Sequence, residues 1–461
     1  MTLVVAQSIS HIFCQVPRGR ILLLALFCFA NQFAPAIAQD NVKSPNQSPV
    51  IAEIMEQVLR ENPEIQASRF NHDVAAEGVA QAWSNALPSI SADGSLARQK
   101  IDQTVNSVLF GENQSEERNF QLNPVSASVS AEQVLFDGLQ TVNTIREAGA
   151  RKEVGFFEVV RVEQDVLRRT GTAYFSVLQN QRMLKAVDVS IEAHLAEVRG
   201  AKARLSRGEG TITDVRQAEA RLASVQSRRV QILSALGVSR AQLEELSGSA
   251  DVSAGTNSIM IETPPLLDEA HELAIQNAPS LALAKATLKA SKFRQKAGRG
   301  AIAPRVSAFV SYQINEEPSP FTVRDEQFQY GVRASIPLVQ GGLRLSMRRE
   351  ARAQVNSERA SLRATERQLR AQITTLWRRM EEAEASIYAA EIGVQAASSA
   401  LDGVRAEARA GLRTTVDVLD TEGERAEAEI RLVQGQSDLQ ISKVNLLAAI
   451  GVLDPLSFLE E

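Results

Sequence analysis

Cysteine is nearly missing from this chain of 461 residues: Cys14 and Cys28 are the only two. Everything beyond position 28 is therefore free of disulfides and of thiol catalysis. Histidine is scarce as well, with four residues. His11 and the lone His72 are poor ligand candidates, and His194 and His271 lack nearby Cys or His partners, so metal catalysis has little material. No stretch reaches the ~20 apolar residues of a membrane-spanning helix. Lys and Arg total 50 against 55 Asp and Glu, and that balance offers nothing to a nucleic-acid partner. No nucleophile elbow, metal spacing or phosphate loop is present. An enzyme is the least favoured class, and no cofactor is expected.

Acidic residues are also absent from positions 1–39. Arg18 and Arg20 precede an apolar run from Ile21 to Ala30, and Ala36-Ile37-Ala38 supplies a small-residue cleavage site. Residues 1–38 are expected to be a signal peptide for export. Cys28 follows Phe27 where a lipoprotein signal needs a small residue, so no lipid anchor is expected. Without the two leader arginines the exported chain carries 48 basic and 55 acidic residues, a net charge of −7.

What is present is a duplication. Pro63 and Pro88 recur as Pro279 and Pro304 with the same spacing, and Leu135, Gly138, Gly208, Thr211, Asp214 and Gly248 recur as Leu338, Gly341, Gly411, Thr414, Asp417 and Gly451. Repeat 1 is expected over 39–250 and repeat 2 over 251–461. Each opens with helical patterning, from Ile51 to about Ala86 and from Leu266 to about Ala301. Each then turns to apolar/polar alternation after a proline. Strands are expected at about 88–98 and 122–135, and at about 304–314 and 328–338. The segments between, about Gln99–Gln121 and Asn315–Glu326, are polar, hold Gly111, Pro318 and Pro320, and read as exposed loops. Helical hairpins are expected at about 140–247 and 342–450. Their long arms contain no proline and would each extend roughly 100 Å, packing as coiled coils.

Four amphipathic strands in an exported chain make an unfinished barrel. Its open edges cannot face hydrocarbon, where each unpaired backbone group costs several kcal/mol, so the chain must associate with itself. Strands of about ten residues match the wall of a membrane barrel, and the long helices would prolong it into a tube.

The duplicated strand pair and hairpin, with Gly411-Leu412-Arg413-Thr414-Thr415-Val416-Asp417-Val418-Leu419-Asp420 at one tip and Gly208 with Thr211-Ile212-Thr213-Asp214-Val215 at the other, resembles the TolC family of outer-membrane efflux proteins over about residues 50–453. That resemblance implies a mainly α protein with membrane β structure. Three chains would form one channel in the outer membrane, each giving four strands to a barrel and its helices to a periplasmic tunnel. It implies a periplasmic adaptor and an inner-membrane pump of RND or ABC type as partners, besides outer-membrane lipid. It implies further that Asp417 and Asp420 ring the narrowest point, that Thr213, Asp214 and Arg413 latch the inner helices, and that Gly208 and Gly411 mark the tips where the adaptor docks. Spacing alone puts Asp417 and Asp420 on one helix face, where a ring would attract cations. Acids that merely favour a helix N-terminus are the other reading of the same pair. The chain departs from the family pattern in two places. Ala408 stands where closed channels carry a latch tyrosine, and the first tip, Arg207-Gly208-Glu209, is more charged than usual.

The function expected is an exit duct that performs no chemistry, for efflux or for type I secretion. The sequence does not specify the cargo. A periplasmic adaptor and a coiled-coil scaffold without a pore are the alternatives. The first would need lipoyl-like and small barrel modules around one hairpin, and the second predicts no alternating strands.

Overall fold

The computed structural model describes residues 51–109, 112–249, 259–300, 302–319 and 321–460, so the leader and the linker at 250–258 lie outside the described residues. The helix expected from Ile51 to about Ala86 is two helices, α1 (Ile51–Glu61) and α2 (Pro63–Ser84). Pro63 has no N–H to continue α1, while the Asn62 side chain accepts hydrogen bonds from the N–H groups of Glu64 and Ile65, so the same dipeptide ends one helix and starts the next.

Four strands follow: β1 (Ser89–Leu96), β2 (Gln99–Leu109), β3 (Glu112–Leu122) and β4 (Val125–Phe136). The expected loop at Gln99–Gln121 is thus a correction. It forms the β2–β3 hairpin, whose two arms pair in register from Gln99↔Leu122 to Leu109↔Glu112. Polar residues alternate poorly with apolar ones there, but the two arms satisfy each other's backbone groups, and that is enough to hold a ladder. Then come α3 (Gln140–Ser206) and α4 (Ile212–Ser247).

After a short β5 (Ile259–Ile261), the second repeat reproduces the first as α5 (Leu267–Asn277), α6 (Pro279–Gly300), β6 (Arg305–Ser319), β7 (Thr322–Ser335), α7 (Leu343–Arg409) and α8 (Thr415–Ile450). A terminal β8 (Phe458–Glu460) pairs with β5. Here too the loop expected at Asn315–Glu326 is mostly strand. Pro318 is accommodated at a register shift between Glu316 and Ser319, beside Glu317 with φ of 50°, and proline is tolerated in sheets at such irregularities. The long helices α3 and α7 contain 67 residues each, and α4 and α8 contain 36 each. In the spacing of their landmarks the repeats differ between their second prolines and their long helices. The displacement is 216 up to Pro304 (304 minus 88) and 203 from Leu338 onward (338 minus 135), so repeat 1 is longer by 13 residues, taken up by its extra hairpin.

Strands β1, β4, β6 and β7 form one antiparallel sheet in the order β1-β4-β6-β7. Its register places every alternating series on a common face. One row across the sheet is Ile90, Ala131, Val310 and Tyr330, and the next is Ala92, Val129, Tyr312 and Phe328. On the other face the rows are Ser91, Ser130, Ser311 and Gln329, then Asp93, Ser128, Gln313 and Gln327. Serine hydroxyls pair across the polar face at 2.9 Å (Ser91 with Ser130) and 2.7 Å (Ser95 with Ser126). The apolar side chains are exposed, Ile90 at 75% and Tyr330 at 78%, which water does not favour. From Val306 to Ile314 the apolar series on β6 extends roughly 26 Å along the strand, close to the ~25 Å band of a membrane barrel.

Below the sheet the helices pack in the order α2-α3-α6-α7. At the sheet-to-helix junction Gly138 has φ of 69°, and a methyl group there would come within 2.6 Å of the Gly300 carbonyl oxygen. Only glycine suits both demands, the left-handed backbone and the close approach. The main core lies farther along the helices. Ile51, Ile54, Met55 and Val58 on one face of α1 pack against Val166, Leu167 and Tyr174 of α3 and Val444 and Leu447 of α8. The second repeat builds its own cluster from Ala270 and Ala274 of α5, Leu369, Ile373 and Trp377 of α7, and Leu446 and Ile450 of α8. Each fully buried large side chain contributes about 1.5–3 kcal/mol, so both repeats anchor on α8.

Candidate functional site

The two hairpin tips are built alike. At the first, Gly208 has φ of 80°, its N–H bonds to the Leu205 carbonyl, and the Glu209 N–H reaches back to the Arg204 carbonyl. At the second, Gly411 has φ of 76°, its N–H bonds to the Ala408 carbonyl, and the Leu412 N–H reaches Glu407. Both are Schellman turns, in which a left-handed residue lets the chain cover the last carbonyls of the helix. No atom stands within 4 Å of where a side chain at either glycine would begin, so backbone conformation, and not space, requires them.

The returning helices begin with matching capping boxes. The Thr211 hydroxyl accepts from the Asp214 N–H at 3.2 Å, and Asp214 accepts from the Thr211 N–H at 2.8 Å. Thr414 and Asp417 repeat this at 3.2 and 2.9 Å, and the Thr414 hydroxyl adds a bond to Asp417 at 2.9 Å. Hydrogen bonds from the threonine backbone hold both aspartates below the ordinary carboxylate range. These caps therefore support the folded tip at and above that range, and are lost as pH falls through their depressed values.

The residues singled out in the sequence are differently committed within one chain. Asp417 and Asp420 share a face of α8, but Asp417 caps its helix and Asp420 forms an ion pair with Arg221 of α4. Arg413 donates from Nε to Glu407 at 2.9 Å, which raises its pKa further. Arg413 and Asp214 line the same cleft, of about 740 Å³ between the tips, yet they make no bond to each other within the chain. Thr213 is exposed on the first turn of α4. Ala408, Gly210 and Gly411 also line the cleft.

The sequence reading missed a charged bridge that the repeat carries twice. Lys202 of α3 meets Glu219 of α4 at 2.9 Å, and Arg405 of α7 meets Glu422 of α8 at 2.9 Å; both residue pairs are related by the 203-residue displacement. The copies differ in burial. The Glu219 side chain is 32% exposed and the Glu422 side chain 4%. Glu422 also receives Arg425 at 3.3 Å, and Arg425 in turn bonds Glu429 at 2.5 Å. The two repeats are joined at the tips by Arg204, whose Nη2 donates to the Thr415 hydroxyl at 2.7 Å. Superposing the repeats in sequence would have exposed the Lys202–Glu219 and Arg405–Glu422 pairs. The Arg204 link, made between repeats, leaves no such trace.

His194 is buried, its Nδ1 2.8 Å from the Ser190 carbonyl oxygen, and His271 lies 3.2 Å from the Thr374 hydroxyl. Among the described residues no group of three or more His, Cys, Asp or Glu is placed to hold a metal, and none of their helices is long and apolar enough to cross a membrane. The arrangement is one of charge and packing: exposed acids and arginines around a cleft at the far end of a long helical layer.

The family model described as outer membrane efflux protein matches residues 54–249 and 270–452. The chain is similar to the outer membrane efflux protein BepC of Brucella suis biovar 1, at 28% identity over 400 residues, covering 85% of this chain and 83% of that one. It is similar also to the proteases secretion protein PrtF of Dickeya chrysanthemi, at 23% identity over 410 residues, covering 87% of each. Among solved structures, the CmeC outer membrane channel of Campylobacter jejuni shares the fold with a TM-score of 0.76 at 13% identity, covering 94% of this chain and 95% of that one.

Proposed function

The chain belongs to the outer membrane efflux protein family, whose members are channels and not enzymes, and from that premise we propose that three copies close into one passive duct opened by a periplasmic adaptor. As a member it is a pore-forming exit duct of the outer membrane, with helices extending into the periplasm. One observation carries the closure by copies. The edges of the sheet are β1 and β7, the edges of the helical layer are α2 and α7, and α2 leads directly into β1 as β7 leads into α7. Both layers therefore end on the same two sides. A second copy that pairs the strand edge covers the helical edge in the same movement, and the antiparallel alternation continues unbroken from β7 to the next β1. In such a ring the exposed apolar face meets lipid and the serine-rich face lines water.

In this reading Asp417 and Asp420 of three copies gather at the inner mouth, where their charge favours cations. Their hydrogen bonds dictate how to test them. Asn keeps the acceptor oxygen that caps α8 and removes the charge, so Asp417→Asn with Asp420→Asn is expected to reduce cation preference and block by multivalent cations in planar bilayers while leaving assembly intact. Unchanged selectivity and block would return both acids to a purely structural role.

The latch is proposed between copies. Arg413 uses only Nε toward Glu407, and the guanidinium retains further donors to meet Asp214, with Thr213 beside it on the neighbouring first tip. A contact made only in the closed state shifts the population toward closure, and three copies multiply it. Arg413→Ala is expected to raise single-channel conductance without loss of trimer, and exchange of Arg413 and Asp214 charges should partly restore the parent level. Equal conductance in all variants would assign closure to apolar packing. The tips around Gly208 and Gly411 are the proposed adaptor contact. The pump, of RND or ABC type, supplies the energy, and either drug efflux or protein secretion suits the duct.

A further inference from the structure

We propose that the seam between copies is coded by charge, an arginine flank of α7 in one copy meeting an acidic flank of α2 in the next with Arg352 opposite Glu77; this rests on the three-copy reading above. The internal duplication supplies the template. The seam α3–α6 inside the chain is held by Lys289, whose ammonium lies 2.7 Å from Glu153, and by the close approach of Gly138 and Gly300. Subtracting 216 carries α6 onto α2, and adding 203 carries α3 onto α7. The quasi-equivalent seam is therefore α7–α2, which one copy cannot make because these helices are its two outer edges.

Transfer of the Lys289–Glu153 bridge inverts its polarity. Lys289 becomes Asp73, and Glu153 becomes Asn356, with Arg352 and Arg359 one turn to either side. The helices run antiparallel, so Glu77, one turn beyond Asp73, falls at Arg352, and Phe70 falls at Arg359, whose guanidinium can stack on its ring.

The side chains already face the required way. On α7 the flank toward α6 carries Glu358, Ser361, Thr365 and Leu369, which line a cavity of about 360 Å³ with residues of α6. Arg352, Arg359, Arg363 and Arg370 lie on the opposite side of the helix. On α2, Ile65, Ser68 and His72 turn toward α3, leaving Phe70, Asp73 and Glu77 exposed on the far flank. Phe70 is 67% exposed. Within one copy, and among the described residues, Arg352, Arg359, Asp73 and Glu77 have no ion-pair partner. Gly341, the counterpart of Gly138, keeps a left-handed φ of 56° with nothing within 4 Å, while the counterpart of Gly300 is Ser84. The close glycine contact of the inner seam is therefore not carried over, and charge is what the outer seam has to hold it.

Inversion also excludes wrong closures. The flank of α6 that faces α3 carries Lys285, Lys289, Lys292 and Lys296, and the helix holds no acid. The arginine flank of α7 would be repelled there, and the Asp73 flank of α2 in place of Lys289 would meet Glu153 on α3. Only the alternating order remains attractive, since like charges across an interface suppress false partners.

Charge reversal tests the seam in protein extracted from outer membranes. Arg352→Glu with Arg359→Glu is expected to lower the trimer fraction in native mass spectrometry by about tenfold. Asp73→Arg with Glu77→Arg should do the same, and all four changes together should restore about half the parent level or more. Either pair without effect, or no recovery in the fourfold variant, overturns the seam. Thiol cross-linking guards against variants that fail to fold. In a chain with Cys14 and Cys28 changed to Ser, Glu77→Cys with Arg352→Cys should give covalent dimers and trimers with a short bifunctional reagent, whereas Glu153→Cys with Lys289→Cys should link only within a monomer. A parent protein that is not a trimer would defeat the duct itself; a trimer without the Glu77–Arg352 link would defeat this inference alone.

Discussion

Val129→Arg is expected to remove the protein from the outer membrane as an assembled species. Val129 sits in the row Ala92, Val129, Tyr312 and Phe328, in the middle of the apolar face. An arginine facing lipid near the midplane costs about 2–4 kcal/mol, and the proposed ring of three copies would incur it three times. The neighbouring Ser128 is the control. It lies on the opposite face, between Asp93 and Gln313, so Ser128→Arg should preserve the trimer and change only conductance and ion preference. Heat-modifiable mobility of outer-membrane fractions on denaturing gels reads the first outcome, and planar bilayers read the second. Equal trimer yields from Val129→Arg and Ser128→Arg would show that the sheet has no lipid side.

Arg405→Leu is expected to loosen the second tip far more than Lys202→Leu loosens the first. The bridges are equivalent in the repeat and equal in length at 2.9 Å. They differ in solvent. Removal of one partner from a buried pair costs up to about 3–5 kcal/mol because the other charge is left stranded, while an exposed pair is worth about 0–1 kcal/mol. Arg405 is itself 45% exposed and Arg425 still faces Glu422, so the expected loss is smaller, about 1–2 kcal/mol. Hydrogen exchange across residues 400–425 should then accelerate roughly five- to thirtyfold, against little change across 197–222 in Lys202→Leu. Similar acceleration in both would mean that burial of Glu422 contributes nothing. Replacing Arg405 and Glu422 together by leucines should recover part of the loss, since no stranded carboxylate remains.

Period-two alternation made the sheet legible from sequence, because one face of every strand is apolar along its length. It could not reveal β2 and β3, whose ladder depends on backbone pairing and carries no apolar face. The break at Asn62-Pro63 was in principle readable: asparagine followed by proline is a helix start. The helical patterning on either side concealed it. At the tips, the glycines and capping threonines announced their geometry, since few other residues meet those backbone demands. Glu422 can be matched to Glu219 across the repeat, but its burial leaves no mark among the many glutamates of long polar helices. The charge inversion between seams was also invisible in either repeat alone. It emerges from comparing Asp73 with Lys289 once the packing order of the helices is known.

The equality of the two hairpins constrains how this molecule can change length. Both long arms leave the same sheet and contain 67 residues, and both return arms contain 36. The tips of both repeats consequently stop level, and three copies would present a rim of six turns without a step. A deletion of seven residues in α3 alone would raise one tip by roughly 10 Å and notch that rim at every other position. Shortening must therefore strike α3, α4, α7 and α8 together. Reach is a collective property here, altered by matched change in four places or not at all.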